Sequence, residues 1–137
     1  MRGLFSVSLL ALVACHSAPP PASASVAGHE SVLLALGDGQ SFSSTEAAIA
    51  STPAWNPDEA VVPLSSLRAV ALARAWLRRN RPADAEAGVE SVAVHRVGPT
   101  RTKDRWFYLI GFGPEPRRFD FVVLLDGTVV VSEEEKR

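Results

Sequence analysis

The segment Trp106-Phe107-Tyr108-Leu109-Ile110-Gly111-Phe112 constrains this chain most, because it is apolar on both of the faces that a strand presents. With alternating side chains, Trp106, Tyr108, Ile110 and Phe112 fall on one side and Phe107, Leu109 and Gly111 on the other. Such a strand lies in the centre of its sheet or is covered twice. Its neighbours in the chain also read as strands. Glu90 to Val97 is rich in valine, and Phe119 to Leu125 is apolar apart from Asp120. Asp126-Gly127 then gives a two-residue hairpin signal into Thr128 to Ser132. The connections between these segments are short and so join antiparallel neighbours, since a parallel pair needs a crossover of about a dozen residues. The meander is read with the Gly98 to Asp104 loop at the opposite sheet end from Asp126-Gly127.

Ahead of the strands, Ser66 to Asn80 has a helical period, with Ser65 as N-cap after Pro63. At about 100° per residue, Ala69, Val70, Ala73, Trp76 and Leu77 form one stripe, opposite Arg68, Arg74, Arg78 and Arg79. Ala69 and Ala73 let the backbone lie close to a sheet, and Trp76 supplies buried area. Arg78, Arg79 and Arg81 complement the negative helix end, and Pro82 stops it. The expected fold is α+β in two layers: one amphipathic helix packed on a curled four-stranded antiparallel sheet, spanning residues 64–132. A charged tail follows at 133–137. Residues 30–63 form a less defined segment. Val32 to Leu36 before Gly37-Asp38-Gly39 reads as a short strand ending in a turn or as a helical turn, and Ser43 to Glu46 has capping-box spacing ahead of a short helix over Ala47 to Ala50. Trp55 is expected as a lid on the core.

At the start of the chain, Arg2 precedes an apolar run, Leu4 to Val13, that ends in Leu12-Val13-Ala14-Cys15. A charged start, about ten apolar residues and a small residue before the cut are the parts of a secretory signal peptide. The run is too short for a membrane-spanning helix, which needs roughly 20 apolar residues. The tetrad resembles the lipobox of bacterial lipoproteins. That resemblance implies removal of residues 1–14, a diacylglycerol on the sulfur of Cys15 and acylation of the new amino group, and two or three acyl chains anchor a protein stably. The alternative is an ordinary signal cut after Ala18 or Ala22. Residues 15–29 hold the Pro-, Ala- and Ser-rich tract His16 to Gly28, which has too little apolar content to order itself and reads as a disordered tether. Cys15 is the only cysteine, so the domain behind it has no internal disulfide and its core holds by packing. A domain of about 80 residues needs most of its apolar residues for that core.

From Leu64 to Ser132 the pattern resembles the PepSY and cystatin-like α+β modules of bacterial envelope proteins. The matching parts are the alanine-bearing helix from Leu67 to Leu77, the aromatic strand Trp106-Phe107-Tyr108-Leu109-Ile110, and the ending Val123 to Val130 around Asp126-Gly127. The resemblance implies a non-catalytic module that binds protein or inhibits a peptidase. No inhibitory loop signature accompanies it.

The chain carries 14 Lys and Arg against 15 Asp and Glu, a net charge of -1, which excludes bulk electrostatic binding to nucleic acid. His16, His29 and His95 lack metal-ligand spacing, and neither a G-x-S-x-G elbow nor a phosphate-binding glycine loop is present, so no cofactor, metal or catalysis is expected. Arg101, Lys103 and Arg105 share one loop and are the candidate contacts for an anionic partner. The function expected is that of a membrane-anchored envelope lipoprotein that binds an envelope protein. The alternative is a small-molecule binder or hydrolase using a pocket between helix and sheet, where Tyr108 and His95 are the nearest polar groups.

Overall fold

The computed structural model describes residues 31–37, 40–98 and 103–132. The expected signal peptide, Cys15, the expected tether, Arg101 and residues 133–137 lie outside the described residues. The elements in chain order are β1 (Ser31–Gly37), β2 (Gln40–Thr45), α1 (Glu46–Ser51), α2 (Ser66–Asn80), a single 3-10 turn (Pro82–Asp84), β3 (Val89–Arg96), β4 (Trp106–Phe112), β5 (Phe119–Leu124) and β6 (Val129–Val130). They make an α+β fold with a four-stranded antiparallel sheet in the order β3-β4-β5-β6 and a separate hairpin, β1-β2.

The two-sided apolarity of β4 is satisfied twice over, by neighbours and by layers. In the sheet it lies between β3 and β5. Its Tyr108, Ile110 and Phe112 pack with Phe121, Val123 and Leu125 against Ala69, Ala73 and Leu77 of α2. Its other face carries Phe107, which joins Val122, Leu124 and Val130 against Leu34 of β1, Phe42 of β2 and Ile49 of α1. Residues 31–52 therefore supply a third layer where two were expected. The sheet is also not strongly curled; with a layer on each face it has no single helix to wrap around. Burying side chains such as Phe42, Phe107, Phe112 and Ile110 stabilises the fold by about 1.5–3 kcal/mol each.

The caps account for the helix boundaries. Ser65 accepts a hydrogen bond from the Arg68 amide at 3.2 Å, as its position predicts. For α1 the cap is Thr45, whose hydroxyl accepts from the Ala48 amide at 3.1 Å. Ser43 is a strand residue instead, because fully buried Phe42 commits that stretch to β2. Val32 to Leu36 takes the strand alternative in β1. Trp55 meets Trp106 edge-on at 5.3 Å and packs against the helix-side core, as a lid would. Arg74 departs from the solvent face assigned to it. Its guanidinium donates to the Ala85 carbonyl at 2.7 Å and lies 5.1 Å from the Phe112 ring centre, so its stem covers apolar surface.

One topological expectation is corrected by the register. Phe107 pairs with Leu124 and Arg96 with Trp106, so the β3–β4 loop and the Asp126-Gly127 turn sit at the same end of the sheet. Alternate turns of an antiparallel meander fall at one end.

Candidate interaction surface

β3 is the exposed element of the domain. Every residue of it except half-buried Ser91 is exposed. It has one neighbour, β4, while α2 packs on β4, β5 and β6, and the hairpin reaches β5 and β6. The strand thus overhangs both layers. Val92 pairs with Ile110, Val94 with Tyr108 and Val89 with Phe112, all on the helix side. A register shift between Val89 and Ser91 inserts Glu90 as a bulge, and this brings Val89 to the face of Val92 and Val94 although its number is odd.

The consequence is an apolar groove of about 470 Å³ between α2 and the edge strand, lined by Ser66, Leu67, Val70, Val89, Val92, Val94 and Tyr108. Leu67 is 82% exposed and the three valines about 40% each. The groove holds one polar side chain besides Ser66, the Tyr108 phenol, and its hydroxyl already donates to the Leu64 carbonyl at 2.8 Å. Burial pushes the Tyr108 phenol above its ordinary pKa by disfavouring the charged form.

Backbone groups complete the surface. Val97 donates to the Arg105 carbonyl at 2.8 Å, which makes this pair hydrogen-bonded. Alternation then makes His95–Phe107, Ala93–Leu109 and Ser91–Gly111 hydrogen-bonded pairs as well. The N–H and C=O groups of Val92, Val94 and Arg96 consequently aim outward along the free edge.

The residues singled out from sequence do not converge. His95 lies on the hairpin side, stacked on Phe107 at 5.6 Å, and Tyr108 lies on the helix side. Asp120 pairs with Gly111, four residues along β4 from the partner of His95, and its carboxylate is held by Arg118 at 2.8 Å. Lys103 is exposed. Half-buried Arg105 donates to the Ala50 carbonyl at 3.2 Å, at the end of α1. Arg96 and Asp104 form an exposed ion pair at 2.9 Å beside them. A second, polar hollow of about 420 Å³ involves Arg81, Arg117 and Arg118. There Arg81 pairs with Asp84 at 3.1 Å and stacks over Phe119 at 4.3 Å. Among the described residues no group of three or more His, Cys, Asp or Glu is placed to hold a metal ion, and no helix is long and apolar enough to cross a membrane.

Sequence reasoning missed the edge itself. Its signal was present in Val92-Ala93-Val94-His95, where bulky valines alternate with a small and a polar residue. The Glu90 bulge hid the third valine. No family model, curated protein or solved structure matches the chain.

Proposed function

We propose that the chain is a membrane-anchored envelope lipoprotein whose folded part is a non-catalytic protein-interaction module. The observation that carries this reading is the uncovered β3 edge above an apolar groove. Exposed strand edges with apolar flanks take up extended segments through main-chain hydrogen bonds, and side-chain pockets add specificity. The polar groups nearest the groove support the same reading, because Tyr108 is committed to Leu64 and His95 lies on the other face. The resemblance to PepSY and cystatin-like modules points to protein binding as well. In this proposal Cys15 carries the acyl chains, and the tract from His16 to Gly28 holds the domain away from the lipid surface.

Two measurements test the two halves. Mass spectrometry of the native protein is expected to find a fatty adduct on Cys15 at the mature N-terminus, and Cys15→Ser is expected to leave the membrane fraction or remain unprocessed. A mature, membrane-bound Cys15→Ser protein would refute the anchor. Crosslinking in intact cells tests the module: Val92→Lys with Val94→Lys is expected to lose the captured proteins, and an unchanged capture pattern would refute the edge as the interaction surface.

A further inference from the structure

We infer that the segment received by β3 is β3 of a second copy, so that two sheets join edge to edge into one antiparallel sheet. This rests on the interaction-module reading and names its partner. The outward-facing backbone groups of Val92, Val94 and Arg96 fix which registers are allowed. A two-fold axis normal to the sheet at Ala93 sets Ala93 opposite Ala93 of the second copy, and Val92 opposite its Val94. Each Val92 then exchanges both main-chain bonds with a Val94, using the donors and acceptors that β4 leaves free. The axis preserves faces, so the valines of both copies lie side by side on the helix side, where each is now about 40% exposed.

Charge selects the same register. Glu90 stands near one end of the strand and His95-Arg96 at the other. Pairing about Ala93 brings Glu90 level with Arg96 of the second copy, and Ser91 level with its His95. Opposite charges across strands stabilise a pair, and like charges oppose it. A parallel, same-register pairing would instead set Arg96 against Arg96. Edges that must stay single usually carry charges, lysine above all, proline, a bulge or very few residues. β6 is two residues long, whereas β3 has eight, and its bulge and its charges, Glu90 and Arg96, stand toward its ends, leaving Ser91 to His95 without Asp, Glu, Lys, Arg or Pro. The contact is isologous and closes on itself, as two-fold dimers do.

The test uses the natural chain in intact cells, with cysteine placed at Ala93 and, as a control, at exposed Ala75 on α2. Ala93 forms a non-hydrogen-bonded pair with itself, with Cα atoms about 4.5 Å apart, inside the span of about 4.4–6.8 Å that a disulfide bridges. Ala93→Cys is expected to form a reducible dimer roughly a hundredfold faster than Ala75→Cys, because pairing makes the reaction intramolecular. Both are read against the parent chain, which carries Cys15 alone. Adding Val94→Pro removes one outward donor and no bond to β4, and it is expected to abolish the crosslink while circular dichroism stays unchanged. Equal rates at Ala93 and Ala75, or a crosslink that survives Val94→Pro, would overturn the inference. If no dimer forms but the double-lysine variant still loses captured proteins, the partner is a different protein and the module reading stands. No dimer together with an unchanged capture pattern sinks both.

Discussion

β3 and β4 are adjacent and antiparallel, and each carries a row of bulky apolar residues on the helix side, yet β4 is buried on both faces and β3 on neither. The difference comes from the widths of the covering layers. α2 extends over β4, β5 and β6, the β1-β2 hairpin lies over β5 and β6 with Leu34 and Phe42 clustered with Phe107 of β4, and β3 stays exposed beyond both layers. The valines of β5 therefore contribute to folding, whereas those of β3 stay exposed and, in the proposed function, contribute chiefly to whatever docks there. In that proposal the same residue type serves stability on one strand and recognition on another, in keeping with the strong dependence of strand propensity on context.

The largest expected effects lie in β4. Phe107→Ala and Phe112→Ala each remove a ring from a fully covered site, on opposite faces, and each is expected to lower stability by about 3–5 kcal/mol. Urea unfolding checks this. A small effect for Phe107→Ala alone would mean that the hairpin layer is loosely packed, and would break the claim of two-sided coverage. Gly111→Ala comes next. A Cβ there would meet Ser91 Oγ at 2.7 Å, an Arg118 nitrogen at 2.8 Å and Asp120 Oδ1 at 2.8 Å. These groups form a bonded cluster, with Arg118 Nε on Asp120 at 2.8 Å and its other nitrogen on Ser91 at 3.0 Å. Displacing the cluster is expected to lower stability by about 1–3 kcal/mol, and to loosen β3 first, because Ser91 is its link to β5. Faster amide exchange in β3 than in β5 would sharpen the contrast between the strands.

Tyr108→Phe is a smaller change on the boundary between the two strands. Losing the bond to the Leu64 carbonyl is expected to lower stability by about 1 kcal/mol. It should also alter the alkaline limb of the stability curve. Burial raises the Tyr108 pKa, so the native phenol holds its proton longer than the unfolded one. The unfolded chain then binds fewer protons, and stability falls as pH rises from the ordinary phenol range through the raised value. Below that range the contribution is complete. The Phe variant should show a shallower alkaline loss, and identical slopes for the two proteins would contradict the burial of this hydroxyl.

How much of this was legible in the sequence follows from the kind of signal each element carries. α2 was readable to its cap because Ser65, the apolar stripe and Pro82 act locally. β4 and the order of strands were readable because alternation and short connections are also local. The hairpin layer was not, since Val32 to Leu36 is uniformly apolar and fits strand and helix alike. Only packing against Phe107 and Leu124 decides between them. The Thr45 cap was masked by a Ser43 to Glu46 spacing of equal quality, and buried Phe42 breaks that tie. The candidate site was the least legible part. Exposure of an edge depends on where the covering layers end, and no residue of β3 encodes the length of α2 or the reach of the hairpin.

The smallest expected stability effect is the most telling one. Val92→Thr keeps the branched shape and replaces one methyl with a hydroxyl. On a half-covered edge facing water this is expected to shift monomer stability by no more than about 0.5 kcal/mol, the usual range for surface positions. The corresponding Val122→Thr in β5 buries an unpaired hydroxyl at a fully enclosed site and is expected to cost about 1–3 kcal/mol. The ranking should reverse for association. Val92→Thr weakens dimer crosslinking through Ala93→Cys by setting a hydroxyl among valines, while Val122→Thr leaves the edge intact in whatever fraction remains folded. Unfolding curves and crosslinking rates on the two variants, taken together, separate residues that hold the fold from residues that hold a partner. If Val92→Thr destabilises the monomer as much as Val122→Thr does, then β3 is covered within a single copy and its edge is not free.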